Sequence, residues 1–279
     1  MHITKMHGLG NDYIYVNGFE EKIEDPASLA VAISDRHFGI GADGLIIILP
    51  STKADFRMRM FNADGSEAEM CGNGIRCLAK YVYDHHLTRA TTIRVETLAG
   101  VLSLDLFPQH HTVQKVRVRM GEPRLQRQQI PMRGDAGLVI NEPLVIEGKI
   151  FNVTAVSMGN PHCIVLVDDP KQFDIAYWGP RFEHHAVFPQ GVNTEFVRVL
   201  DHKTVEMRVW ERGCGETLAC GTGASAVAVA CHLLDKTDRC VTARLLGGEL
   251  QLEWREDDNQ VYMTGPAVEV FNGQWRQQG

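Results

Sequence analysis

No apolar run in this chain is long enough to cross a bilayer, for which about 20 residues are needed. Residues 224–234, the longest candidate, fall short, so no membrane partner is expected. A basic block is missing too, as is any interleaving of basic with aromatic residues. With a net charge of −7, this argues against nucleic acid as a partner. An anionic small molecule stays open, because local charge overrides net charge at a site. No secretory pattern precedes the first patterned residues, so a cytoplasmic location is expected. No C-x-x-C pair occurs among the seven cysteines. The pairs Cys71/Cys77 and Cys214/Cys220 each enclose five residues, poor spacing for zinc. No other cluster of metal ligands stands out, and no bound metal is expected. An odd number of cysteines in a reducing compartment reads as thiols rather than a disulfide framework.

What is present is a repeat. The chain has 279 residues, 44% hydrophobic and 23% charged, which suits a globular protein of one large or two ordinary domains. Cys71-Gly72-Asn73-Gly74 is echoed by Cys220-Gly221-Thr222-Gly223, and the two cysteines lie 220 − 71 = 149 positions apart. At the same offset Met58-Arg59-Met60-Phe61 falls on Met207-Arg208-Val209-Trp210, and Gly10-Asn11 falls on Gly159-Asn160. After one deletion Gly100-Val101-Leu102-Ser103-Leu104 falls on Gly248-Glu249-Leu250-Gln251-Leu252. A register kept over four segments indicates duplication. Each half is expected to bring a Cys-Gly-x-Gly turn to a shared cleft. The halves are taken as residues 1–121, carrying Cys71, and 122–265, carrying Cys220; residues 266–279 are a candidate for returning to the first.

The patterns along the chain predict an α/β protein of the α+β type. Strands are expected over 2–6, 13–16, 45–49 and 56–62, then 92–96, 101–106 and 113–120. In the second half they are expected over 241–245, 249–254 and 261–263. Asp25-Pro26 opens a helix expected to run to about His37. Residues 75–86 and 224–234 are helical and apolar on several faces, and a helix without a polar face must be enclosed. Two pseudo-symmetric domains follow, each a curved, mainly antiparallel sheet wrapped around a central helix. Residues 125–135, rich in Arg and Gln, read as linker and surface. Residues 267–271 are a strand that completes a sheet edge, and 273–279 are expected to fray.

The two Cys-Gly-x-Gly turns carry the chemistry. A cysteine at a helix start meets backbone N–H groups and the positive end of the helix dipole, so its thiol pKa is expected to fall toward neutrality. Glycine amides beside it can face a carboxylate. One cysteine on each side of a tetrahedral carbon makes a two-base pair: one thiolate takes the α-proton, and the opposite thiol returns one to the other face. Such a proton is weakly acidic, so without a cofactor N–H donors must stabilise the dianion in a dry site. A reversible Cys71–Cys220 disulfide in a redox or ligand-sensing module is the competing use. Cys77, Cys163, Cys231 and Cys240 read as core packing, and Cys214 has no assigned role. Asn beside Gly is, taken alone, ordinary turn chemistry, and His162 alone a half-buried imidazole.

Together the motifs resemble the diaminopimelate epimerase family. Asn62-Ala63-Asp64-Gly65-Ser66 with Met70-Cys71-Gly72-Asn73-Gly74 and Arg76-Cys77 is similar to its first active-site segment. Glu211-Arg212-Gly213 with Gly215-Glu216-Thr217-Leu218-Ala219-Cys220-Gly221-Thr222-Gly223-Ala224 is similar to the second. His7-Gly8-Leu9-Gly10-Asn11-Asp12, Ser157-Met158-Gly159-Asn160-Pro161-His162 and Met263-Thr264-Gly265-Pro266 also match, and the likeness runs over residues 6–271. The resemblance implies interconversion of LL- and meso-diaminopimelate in lysine and cell-wall precursor synthesis, with neither pyridoxal phosphate nor metal. By matching motif, Cys71 and Cys220 would be the acid/base thiols, with His162 and Glu211 tuning them. Gly72, Asn73, Gly221 and Thr222 would hold the reacting carboxylate. Asn11, Asn62, Asn160, Asn193, Glu211 and Arg212 would hold the rest of a small diamino-dicarboxylate. A homodimer is implied as well. Some family members carry Gln where this chain has Gly44. Gly44 falls on Asn193 at the 149 offset and is a candidate for a backbone contact to substrate. A related racemase acting on a cyclic imino acid is the remaining alternative.

Overall fold

The structure, a computed structural model, describes residues 1–276. The chain runs β1 (His2–Gly8), β2 (Asn11–Asn17), α1 (Pro26–Ser34), β3 (Gly44–Leu49), β4 (Phe56–Asn62), β5 (Glu67–Ala68), α2 (Gly72–Asp84), β6 (Thr92–Thr97), β7 (Gly100–Gln109) and β8 (Thr112–Gly121). It continues as β9 (Glu142–Ile146), β10 (Lys149–Ser157), β11 (Pro161–Leu166), α3 (Ile175–Glu183), β12 (Asn193–Asp201), β13 (Thr204–Glu211), β14 (Gly215–Thr217), α4 (Gly221–Leu233), β15 (Cys240–Leu245), β16 (Gly248–Trp254), β17 (Val261–Pro266) and β18 (Val268–Gln274). Two units form. One contains Met1–Val118 and the described part of Thr264–Gly279; the other is Arg119–Met263.

In the first unit β18, β1, β2, β3 and β4 lie side by side; only β2–β3 is parallel. β4 also carries the short β5 and, in parallel, β6, which continues into β7 and β8. α2 packs against β1, β2, β7 and β18. The second unit repeats the plan: β9, β10, β11, β12 and β13 in line, only β11–β12 parallel, with β14 and a parallel β15 on β13 and β16 beyond. α4 packs against β10, β11, β12, β15 and β16. The result is a mixed α+β fold with one enclosed helix in each pseudo-symmetric unit.

The enclosure explains the helix sequences. In α4 every residue from 223 to 231 is buried, and their small Ala, Val, Ser and Cys side chains leave room for the surrounding strands. α2 is buried from Gly72 to Val82, including Arg76 at 0% exposure. Arg76 survives there because its guanidinium donates to Gly72 O at 2.9 Å, Asn73 Oδ1 at 2.8 Å and Pro266 O at 3.2 Å. β3, Gly-Leu-Ile-Ile-Ile-Leu, is buried on both faces as its β-branched run requires.

Several local expectations fail for identifiable reasons. α1 ends at Ser34, not near His37, because Asp35 Oδ1 accepts the N–H groups of His37 and Phe38, both at 2.7 Å, and turns the chain. The segment 125–135 is not simply surface. Ile130 and Met132 join the second unit's core, and buried Arg127 donates to Glu142 at 2.6 Å. Gly273 and Gln274 do not fray; they pair with Ile3 and His2 at the end of β18. Trp275 N–H donates to Met1 O at 2.9 Å, and residues 277–279 of the expected frayed end lie outside the described residues. Cys240 is exposed, not core, because Val241 and Ala243 take the inward face of β15.

Candidate functional site

Each unit sets a cysteine at the start of its enclosed helix, and the hairpin before it is braced identically. In the first unit Arg59 forks onto Glu67 at 2.7 and 2.9 Å, joining β4 to β5. In the second, at the same offset, Arg208 forks onto Glu216 at 2.6 and 2.9 Å, joining β13 to β14. Such bidentate pairs fix geometry as well as charge. The chain then reaches Cys71 and Cys220. Both have extended backbone and act as N-caps, each sulfur accepting the N–H three residues on, Gly74 or Gly223, at 3.4 Å.

Around half-buried Cys71 the neighbours come from β2 and the turns that precede β2 and β3. Gly10, at φ 85°, makes a left-handed turn open to few residues but glycine, and Asn11 follows. Cys71 Sγ donates to Asn11 Oδ1 at 3.2 Å, and Asn11 Nδ2 donates to Asp43 at 2.8 Å. Asp43 is in turn held by Arg36 at 2.9 Å and by the Asp12 N–H at 3.1 Å. Burial pushes the Asp12 carboxyl up, but Lys5 and Arg36 outweigh it and hold the group below the usual range. Tyr13 also meets Cys71 and Asn11, and burial together with that sulfur pushes its phenol pKa up. In register, Tyr13 pairs with Gly44, and Gly44 with Asn62. Asn62 Nδ2 donates to Ser66 Oγ at 3.0 Å. Gly72 and Asn73 are buried in the first turn of α2. Gly44 offers backbone alone: a Cβ there would collide with Phe61 O and lie 2.9 Å from Tyr13 Cε1.

Around Cys220, at 4% exposure, the layout follows the same register with different residues. Gly159 repeats the left-handed turn at φ 103°. Asn160 then stands where Asn11 does, and His162, paired with Asn193, where Tyr13 pairs with Gly44. Asn160 Nδ2 donates to Thr222 Oγ1 at 3.3 Å, and Thr222 Oγ1 lies 3.4 Å from Cys220 Sγ. His162 is wholly buried, its Nε2 3.0 Å from Asn160 Oδ1 and its Nδ1 2.7 Å from Glu195 Oε1. Asn193 ties the Arg212 turn in place, accepting the Arg212 N–H at 3.0 Å and donating to Pro161 O at 2.8 Å. Exposed Arg212 donates from its guanidinium to Gln190 O at 2.9 Å. Glu211 accepts from Thr217 Oγ1, and Gly221 is buried in the first turn of α4.

The expected fall in thiol pKa does not hold at Cys220. Burial pushes this thiol well above its ordinary value, and the carboxylates of Glu211 and Glu195 add to the rise. The Thr222 hydroxyl and the Gly223 N–H oppose them and lose. Glu211 therefore tunes Cys220 upward, toward the protonated thiol. The packing cysteines shift the same way: burial raises Cys77 to about 11 and Cys231 to about 12, and Cys163 rises too. Exposed Cys240 is accordingly expected to react with iodoacetamide at least about tenfold faster than Cys77, Cys163 or Cys231, as peptide mass spectrometry would show. Comparable rates would contradict the burial assigned to them.

Three residues, Tyr13 and Asp43 near Cys71 and Glu195 near Cys220, escape the reading of the motifs. Glu195 leaves a legible mark, since a carboxylate in an apolar strand falls at the 149 offset on Ile46. Among the described residues no group of three or more His, Cys, Asp and Glu could hold a metal ion. Nor is any helix among them long and apolar enough to cross a membrane.

Comparison with known proteins covers nearly the whole chain. The family model for diaminopimelate epimerase matches residues 3–126 and 154–270. Diaminopimelate epimerase from Acetivibrio thermocellus is 57% identical over 274 residues, covering 98% of this chain and 98% of its own. The enzyme of that name from Agathobacter rectalis is 56% identical over 281 residues, covering 98% of this chain and 99% of its own. Among solved structures, a probable proline racemase from Agrobacterium radiobacter K84 aligns over 99% of this chain and 93% of its own, with a TM-score of 0.72 at 15% identity. At that identity the likeness speaks to fold alone.

Proposed function

The chain belongs to the diaminopimelate epimerase family, and from that premise we propose that it interconverts LL- and meso-diaminopimelate with two thiols as its acid and base. The observation that carries the mechanism is the paired placement of Cys71 and Cys220. Each caps an enclosed 13-residue helix and takes the N–H of its third residue on sulfur. In one direction the Cys71 thiolate takes the α-proton. The electron pair of the broken C–H bond passes into the adjacent carboxylate, and the Cys220 thiol delivers its proton to the other face of the carbon. Configuration inverts, Cys71 is left as thiol and Cys220 as thiolate, and the reverse reaction exchanges the roles. The raised pKa of Cys220 suits its part as the proton donor.

Charge that develops on the carboxylate falls to the first helical turns. The N–H groups of Gly72 and Asn73, and of Gly221 and Thr222, stand at helix N-termini, where the dipole favours an anion. Arg212 can fork onto the distal carboxylate, and Asn11, Asn62, Asn160, Asn193 and Glu211 supply acceptors for ammonium groups. Binding energy from that remote centre orients the reacting one. Gly44 is a further backbone contact on this reading. The same family reading carries a cytoplasmic homodimer in lysine and cell-wall precursor synthesis; sedimentation at working concentration tests the dimer.

Purified protein, dialysed against chelator and treated with a carbonyl-trapping reagent, is expected to retain its turnover of LL-diaminopimelate to the meso form. Loss of activity to either treatment would point to a metal or pyridoxal phosphate and overturn the thiol mechanism. Exchange with proline and none with diaminopimelate would overturn the substrate.

A further inference from the structure

Glu195 is a buried ionisable group that the mechanism above leaves unused. It sits in β12 at 0% exposure, and its Oε2 has no hydrogen-bond partner. At the repeat offset its counterpart is Ile46, equally buried in β3. Packing is therefore satisfied by isoleucine at this place in the fold, while a carboxylate with an orphaned oxygen weighs against stability. Glycine faces this place in both units: a Cβ at Gly223 would stand 2.5 Å from Glu195 Oε1 and one at Gly74 2.7 Å from Ile46 Cδ1, so the room is common to both units and the carboxylate is not.

The carboxylate gives direction to a chain of hydrogen bonds. His162 Nδ1 meets Glu195 Oε1 at 2.7 Å. Nε2 faces Asn160 Oδ1 at 3.0 Å, an oxygen that can only accept, so Nε2 carries the N–H there, and the hydrogen between Nδ1 and Oε1 can sit on either atom. That fixes the Asn160 amide with Nδ2 toward Thr222 Oγ1, at 3.3 Å. With its oxygen accepting from Asn160, Thr222 turns its hydroxyl proton to Cys220 Sγ at 3.4 Å. We infer that Glu195 is a positioning residue for Cys220: by anchoring His162 it sets the polarity of the chain through Asn160 and Thr222 that aims a hydroxyl donor at the sulfur. The inference rests on Cys220 as an acid/base thiol.

Without the carboxylate, His162 is free to present a bare Nε2. Asn160 then reverses its amide, Thr222 donates to Asn160, and the sulfur loses its hydroxyl donor. The thiolate is less well held, so Cys220 ionises at higher pH. Losing the Glu195 charge acts the other way; Thr222→Val keeps that charge and so reads the hydroxyl alone. The other titratable groups facing this cluster are Cys163 from β11 and Glu211 from β13.

The test compares Glu195→Ile, the residue the first unit uses, with Thr222→Val and the double variant. Iodoacetamide labelling of Cys220 and Cys71 is followed across pH by peptide mass spectrometry, alongside kcat and KM. Thr222→Val is expected to move the Cys220 labelling midpoint up by about one pH unit, and both single variants should leave Cys71 in place and lower kcat about 10- to 100-fold with KM within about threefold. The double variant should place the Cys220 midpoint where Glu195→Ile alone does, because with the carboxylate gone the Thr222 hydroxyl no longer faces the sulfur. Should Ile not fold at 195, Glu195→Leu takes its place under the same non-additivity. An unmoved or falling Cys220 midpoint in Thr222→Val, a further shift when Thr222→Val is added to Glu195→Ile, or equal shifts at both cysteines would overturn the inference. A raised Cys220 midpoint with unchanged kcat would uphold it and overturn the two-thiol reaction instead.

Discussion

Cys220→Ala and, separately, Cys71→Ala are each expected to lower turnover of diaminopimelate by about 1,000-fold or more, on a folded protein. The size of the effect follows from the division of labour. In the proposed reaction each thiol is the sole proton carrier on its face of the carbon, and general acid or base catalysis contributes about 100- to 10,000-fold per group. Both groups must act in every turnover, so neither loss is rescued by the other. The fold should survive. Alanine removes one sulfur and the cap it provides to the Gly223 or Gly74 N–H, a loss of about 1 kcal/mol. KM should change little, because in the proposed site backbone amides rather than sulfur hold the carboxylate. Serine restores an acceptor for the cap but not the acidity, so it should melt like the parent and turn over little better than alanine. Turnover within tenfold of the parent in either alanine variant would remove that cysteine from the reaction.

The second large effect is on stability. Gly44→Gln is expected to destabilise the protein by about 3 kcal/mol and to lower Tm by roughly 6–12 °C. Gly44 lies between Tyr13 of β2 and Asn62 of β4, paired with both. A side chain there meets the Phe61 carbonyl and the Tyr13 ring. The first of these is backbone within a ladder and cannot swing aside, so β3 would have to move away from β4. The resemblance to the family allows Gln at this position; in this chain the strands have closed over the space it would need. A Gly44→Gln variant that melts with the parent would show that the strands reopen freely, and that glycine here is not a packing requirement.

Much of the fold was legible because the chain states it twice. The 149-residue offset pairs Arg59 with Arg208, and the braces they make to Glu67 and Glu216 are the same. It also pairs Gly10 with Gly159, and both adopt the same left-handed turn. The all-apolar faces of α2 and α4 announced two enclosed helices. What stayed hidden depends on contacts the pattern does not contain. α3 went unread because Pro180 interrupts a short helix whose signals are Asp174 at its cap and aromatic packing from Trp178 and Phe182. Cys240 looked like core until the pleat of β15 assigned it the outward side. The sign of the Cys220 shift was misread because a helix dipole acts over one turn, whereas burial and two carboxylates act together against it. Glu195 could have been noticed as the odd residue opposite Ile46. Its partner could not, since His162 is 33 residues away and reaches it only across the parallel pairing of β11 with β12.

The central claim is that two different groups handle the two faces of one carbon, and the isotope content of the first product tests it most directly. LL-diaminopimelate turned over in deuterium oxide and stopped at a few per cent conversion should give meso product carrying one solvent deuterium at the inverted carbon, while the remaining LL pool holds almost none. Product that keeps the substrate's own hydrogen would mean a single base returning the proton it took, and would contradict the account.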